Sequence, residues 1–107
     1  MLVSTEQIQR GVRAYVEREI ASQATGFKKF AVYFIIPQLD RYTADYINKF
    51  KNILPDMFDS TGMVDIDKAY NYAKSAIRQS GSFELMGIIF NESDIDKLNS
   101  YIHGGIN

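Results

Sequence analysis

Apolar residues in the first twenty positions repeat at helical spacing. Ile8, Val12, Tyr15, Val16 and Ile20 fall on one side of a helical repeat, and Gln9, Arg10, Arg13, Glu17 and Arg18 take the other. Ser4 followed by Gln7 has the spacing of a capping box, in which each side chain satisfies a free backbone N–H of the first turn. The pattern predicts a helix from roughly Thr5 to Ser22, with Gly26 in the following turn. Gly11 inside that helix costs about 1 kcal/mol relative to Ala. Its presence points to close packing by another element.

The next stretch reads two ways. Phe27, Phe30, Ala31, Phe34 and Ile35 fit a helical stripe, yet Ala-Val-Tyr-Phe-Ile-Ile before Pro37 also reads as a buried strand. Pro37 removes one helical hydrogen bond and clashes with the preceding turn. Leu39, Tyr42, Tyr46, Ile47, Phe50, Ile53 and Leu54 then resume a clean helical face. The favoured reading is a helix bent or broken near Pro37 and ending before Pro55. The alternative makes residues 30–36 a strand.

Residues 55–64 read as a loop. Asp65 is placed to cap a third helix with the face Ile66, Ala69, Tyr70, Ala73, Ala76 and Ile77, and Gly81 sits where a left-handed terminus favours glycine. Residues 82–90 are too short and apolar for periodicity to decide, and Gly87 weakens both helix and strand. An extended, strand-like segment is expected there. Its backbone needs a partner, either residues 30–36 or the same segment of another copy. A last helix spans roughly 94–102, with Ile95, Leu98, Tyr101 and Ile102 inward and Gly104-Gly105 at its end. The fold expected is mainly α: a compact four-helix single domain over residues 1–107, with one short strand-like segment near 83–90. The alternative is α+β with 30–36 as a second strand.

Composition narrows the function. No cysteine is present, which removes disulfides and thiolate metal sites. No apolar run approaches the roughly 20 residues of a membrane span, and the first residues lack a signal-peptide pattern. A cytoplasmic protein with no membrane partner is the expectation. The net charge of −1 argues against a general nucleic-acid binder, but it hides an asymmetry. Residues 1–54 carry +3 and residues 55–107 carry −4. Such halves can pair internally, which is favoured, or with a neighbouring copy.

Candidate chemistry is sparse. Asp65-Ile66-Asp67-Lys68 recurs as Asp94-Ile95-Asp96-Lys97, and two Asp-x-Asp pairs could hold a hard cation. Both pairs sit at helix starts, where carboxylates satisfy free N–H groups, and capping is the stronger reading. Aligning Gly62 with the obligatory glycine of a calcium loop puts Met57 and Lys68 where carboxylates are required, which defeats that site. The single histidine, His103, lies at a helix end without a partner nucleophile, and no glycine-rich phosphate loop occurs. No catalytic residue, cofactor site or metal site is assigned. Arg10, Arg13, Lys28 and Lys29 form a candidate basic patch, diluted by Glu17 and Glu19, and a solvated helix face is favoured for it.

Aromatic and methionine residues exceed what four short helices hide easily. Tyr42, Tyr46, Met57, Phe58, Tyr72 and Met86 are the candidate interface residues, because Tyr and Met bury large area while tolerating a wet rim. The competing reading is that they complete a small core.

The stretch Ile8-Gln9-Arg10-Gly11-Val12 through Tyr15 and Glu19-Ile20 to Thr25-Gly26-Phe27 looks like small uncharacterised proteins of phages and prophages of Gram-positive bacteria. Gly81-x-Phe83-Glu84-Leu85-Met86-Gly87-Ile88 and Phe90-Asn91-Glu92-x-Asp94-Ile95-Asp96-Lys97-Leu98 look similar to the same group. The resemblance implies a phage-encoded protein and transfers no catalytic residue. The expected function is a non-enzymatic, self-associating interaction or assembly protein. The alternative is a nucleic-acid-associated regulator using the basic patch.

Overall fold

A computed structural model describes residues 1–85 and 88–104. It is mainly helical. Helix α1 spans Thr5–Tyr15 and continues through a π turn at Val16–Ile20 and a 3-10 turn at Ala21–Gln23. Ser4 caps it as the spacing predicts, accepting from the Gln7 N–H at 3.2 Å while the Gln7 side chain accepts from the Ser4 N–H at 2.7 Å.

Helix α2, Phe27–Ile35, begins after Gly26, whose φ of 61° is a left-handed conformation that favours glycine. A 3-10 turn at Ile36–Gln38 carries Pro37 and leads directly into α3, Leu39–Ile53. The two are therefore joined by continuous helical turns, and the strand alternative for 30–36 is overturned. Pro37 lies at the start of that 3-10 turn, where its fixed φ and missing N–H are tolerated, so the chain passes from α2 into α3 without losing helical character.

Helix α4, Ile66–Ser80, starts on Asp65, whose carboxylate accepts from the Asp67 and Lys68 N–H groups, and ends at Gly81 with φ 87°. Helix α5 runs Glu92–Gly104, two residues earlier than the pattern suggests. Its start is closed by a reciprocal pair in which the Asn91 N–H donates to Asp94 and the Asp94 N–H to Asn91. Asp65 and Asp94, equivalent in the sequence echo, thus hold different positions at their helix starts.

Two small antiparallel sheets complete the fold. Strand β1, Leu2–Val3, pairs with β2, Val64–Asp65, so part of the expected 55–64 loop is strand. Strand β3, Phe83–Leu85, pairs with β4, Ile88–Phe90. Residues 83–85 and 88–90 therefore pair with each other, and residues 30–36, which are helical, are not their partner. Gly87 lies outside the described residues.

One buried cluster joins these elements. Val3, Val12, Tyr15, Leu39, Ile77, Phe90, Ile95 and Ile102 belong to it, with Val3, Leu39 and Phe90 fully buried. Gly11 lies against Ile102, which explains a glycine in mid-helix: a Cβ there would meet the α5 backbone. Helix α2 touches this core through Val32, and Ile36 adds a contact just past its end.

Candidate interaction surface

Helix α2 buries no residue. Phe27, Phe30 and Phe34 are 94%, 76% and 74% exposed, and Tyr33 is 55% exposed. Spacings of three and four residues align the three phenylalanines into one ridge, while Val32 points to the opposite side, toward the core. Lys28 and Lys29 occupy the first turn, both exposed, with no ion pair among the described residues. A helical stripe was legible in the sequence, but its direction is the reverse of the usual one. The ridge faces outward.

On the body of the molecule a cleft of about 160 Å³ opens between α1, α3, α4, α5 and β3. Its floor is core: Val12, Ile66, Leu98 and Ile102 are buried. Its walls are aromatic and partly exposed, with Tyr46, Phe50, Phe58, Tyr72 and Phe83 prominent. Tyr72 meets Phe50 edge to face at 6.4 Å and Phe83 at 6.3 Å. Thr43 and Asn99 are the polar lining residues. No residue of α2 lines the cleft.

Four of the six residues singled out from sequence meet at this cleft: Tyr46, Met57, Phe58 and Tyr72. Tyr42 does not. Its hydroxyl donates to Gln38 at 2.9 Å and its ring lies 5.2 Å below the Arg41 guanidinium. Met86 lies outside the described residues. The residues that sequence reasoning left out of the candidate set are Phe27, Phe30, Tyr33 and Phe34. The sequence showed an apolar stripe between Gly26 and Pro37 but carried no sign of which way it faces.

The basic patch is divided. Arg13 donates to Asp40 at 2.6 Å, and this carboxylate raises the guanidinium above its ordinary range. Arg10 and Arg18 border a shallow depression with Ser100 and Tyr101, to which neither Lys28 nor Lys29 contributes. Arg18 also sits 5.8 Å over the Tyr101 ring, whose hydroxyl donates to Glu19 at 2.8 Å.

The paired aspartates are equally committed. Asp67 accepts from the Met1 amino group at 2.7 Å. Asp96 accepts from the Tyr70 hydroxyl at 2.6 Å and from Lys74 at 3.0 Å, and both bonds hold its carboxyl below the usual range. Among the described residues no group of three or more metal-ligating side chains occurs, and no helix is long and apolar enough to cross a membrane. His103 occupies the last turn of α5, half-buried.

No protein-family model, curated protein or solved structure matches this chain.

Proposed function

We propose that this chain is a small non-enzymatic interaction protein that assembles by self-association through α2. The carrying observation is the outward ridge of Phe27, Phe30 and Phe34, with Tyr33 beside it. At about 200 Å² per aromatic residue, the exposed fractions leave on the order of 600 Å² of aromatic surface uncovered. That equals the largest patch a typical monomer shows, roughly 300–600 Å², and such patches mark interaction sites. Covering apolar surface contributes about 25 cal/mol per Å², against which the loss of rotational and translational freedom must be set.

The engaged carboxylates support a role without chemistry. Asp65 and Asp94 close helix starts, and Asp96 is held by Tyr70 and Lys74. A phage context rests on the sequence resemblance. The commitment of Arg13 to Asp40 weighs against the nucleic-acid alternative.

Sedimentation velocity over a concentration series tests the proposal. The expected result is a reversible rise in mass with concentration that Phe30→Asp removes. A strict monomer at every concentration overturns it.

A further inference from the structure

Ridge and cleft are complementary apolar surfaces that a single molecule leaves apart. We infer that the cleft of one copy receives the Phe30 ring from α2 of a second copy, reciprocally, in a closed two-fold dimer. The inference rests on the reading of α2 as a self-association element and names the surface it docks on.

Size is the first support. The cleft measures about 160 Å³, and an apolar protein cavity of about 150 Å³ holds one benzene. One phenyl ring fits. Phe30 is the middle member of the ridge, with Phe27 and Phe34 about one turn away on either side, and binding energy concentrates at the centre of an interface. The flanking rings then meet the aromatic rim, where Tyr72 and Phe83 already show edge-to-face geometry.

Area is the second. One ridge supplies on the order of 600 Å², short of the roughly 800 Å² per partner of a stable interface. Reciprocal exchange makes each copy give a ridge and a cleft together, which brings the area per partner close to that size. It also closes the assembly, so that no unfilled cleft or bare ridge remains to extend it into a chain.

Charge is the third. Residues Phe27–Ile35 bring Lys28 and Lys29 and no acid. The part of the chain that supplies α4, β3 and α5, residues 55–107, carries −4, while α3 brings Lys49 and Lys51 on either side of the lining residue Phe50. Asp56 and Glu84, adjacent to the lining residues Met57 and Phe83, make no ion pair among the described residues. These two are the acids that Lys28 and Lys29 would meet, and such pairs steer an encounter.

The test compares wild type, Phe30→Asp and the cleft-filling Ala69→Phe by sedimentation. It adds NMR of a dimer mixed from isotope-labelled and unlabelled copies. Each substitution is expected to raise the dimer dissociation constant by roughly thirtyfold or more. Mixing the two variants restores a weaker heterodimer, since one intact ridge still meets one intact cleft; that recovery also shows Ala69→Phe to be folded. Intermolecular NOEs should link the Phe30 ring to the Ala69 and Ala73 methyls. Dimerisation of Ala69→Phe at wild-type strength, or NOEs joining one α2 to another, overturns the cleft inference while leaving self-association standing. Absence of any wild-type association overturns self-association itself. Monomers that bind anionic lipid vesicles through Phe30 without associating assign the ridge to a lipid surface and overturn both.

Discussion

Gly11 and Ile102 meet so closely that a Cβ at position 11 would lie 2.5 Å from Ile102 Cγ1 and 2.6 Å from its Cα. The second distance matters more, because a side-chain atom can rotate away and a backbone atom cannot. Ala is about 1 kcal/mol better than Gly in a helix interior, whereas overpacking a tight contact typically costs 1–3 kcal/mol. With backbone in the way the clash outweighs propensity. Gly11→Ala is expected to lose roughly 1–2 kcal/mol by urea denaturation. Adding Ile102→Ala should not restore the midpoint, since the Cα and N of residue 102 remain 2.6 and 2.9 Å from the new methyl. A more stable Gly11→Ala would show that α1 and α5 cross farther apart.

Strand β4 makes an internal comparison. Phe90 is 1% exposed and its ring packs tilted against Tyr15 at 5.7 Å, while its neighbour Ile89 is 68% exposed. Alternation along a strand sends them to opposite faces. Phe90→Ala should cost about 3–5 kcal/mol through the cavity it leaves, and Ile89→Ser should stay within about 0.5 kcal/mol. Equal losses at the two positions would mean that the hairpin register is wrong by one residue.

Tyr15 contributes to the alkaline limit, together with Tyr101 and Lys74. Burial pushes its phenol up to about 12 from the ordinary value of 10.0. Its contribution to stability is fully present below pH 10.0 and is lost as pH rises toward 12, because only the unfolded state releases the proton in that window. Wild type should therefore lose its denaturation midpoint progressively across that range. Tyr15→Phe should flatten the loss. An unchanged alkaline slope in the variant would assign the effect to other groups.

Acid dependence should centre on carboxylates such as Asp96. Its hydrogen bonds from Tyr70 and Lys74 lower its pKa below 3.8. The charged form thus supports folding above that value, and the support disappears as pH falls through the lowered folded value. Asp96 is half exposed, so the pair is screened by solvent and the neutral-pH effect of Asp96→Asn should be small. The variant should nevertheless show a shallower fall in midpoint than wild type as pH drops below 3.8. Asp59, lowered chiefly by the Thr61 hydroxyl, carries part of what remains. Superimposable acid profiles would remove Asp96 from this role.

Helix ends were legible from sequence because they are local. Ser4 with Gln7, Asp65 and Gly81 act within a few residues of themselves, and each does in the structure what its spacing implies. The same locality made the inward stripes of α1, α4 and α5 readable. The hairpin at 83–90 was not readable in the same way, since short apolar runs carry no period and pairing depends on which strand is nearest in space.

The sequence by itself determined that this is a mainly helical chain, that Ser4 and Asp65 open two of its helices and Gly81 closes one, and that Asp65 and Asp94 stand at helix starts. Tertiary structure alone decided the direction of the Phe27, Phe30 and Phe34 stripe. A 3.6-residue repeat records that apolar side chains share one face; it does not record whether a partner covers that face. Here the core is already closed by Leu39, Phe90 and Ile102, and α2 reaches it through Val32, so the phenylalanines are left facing water.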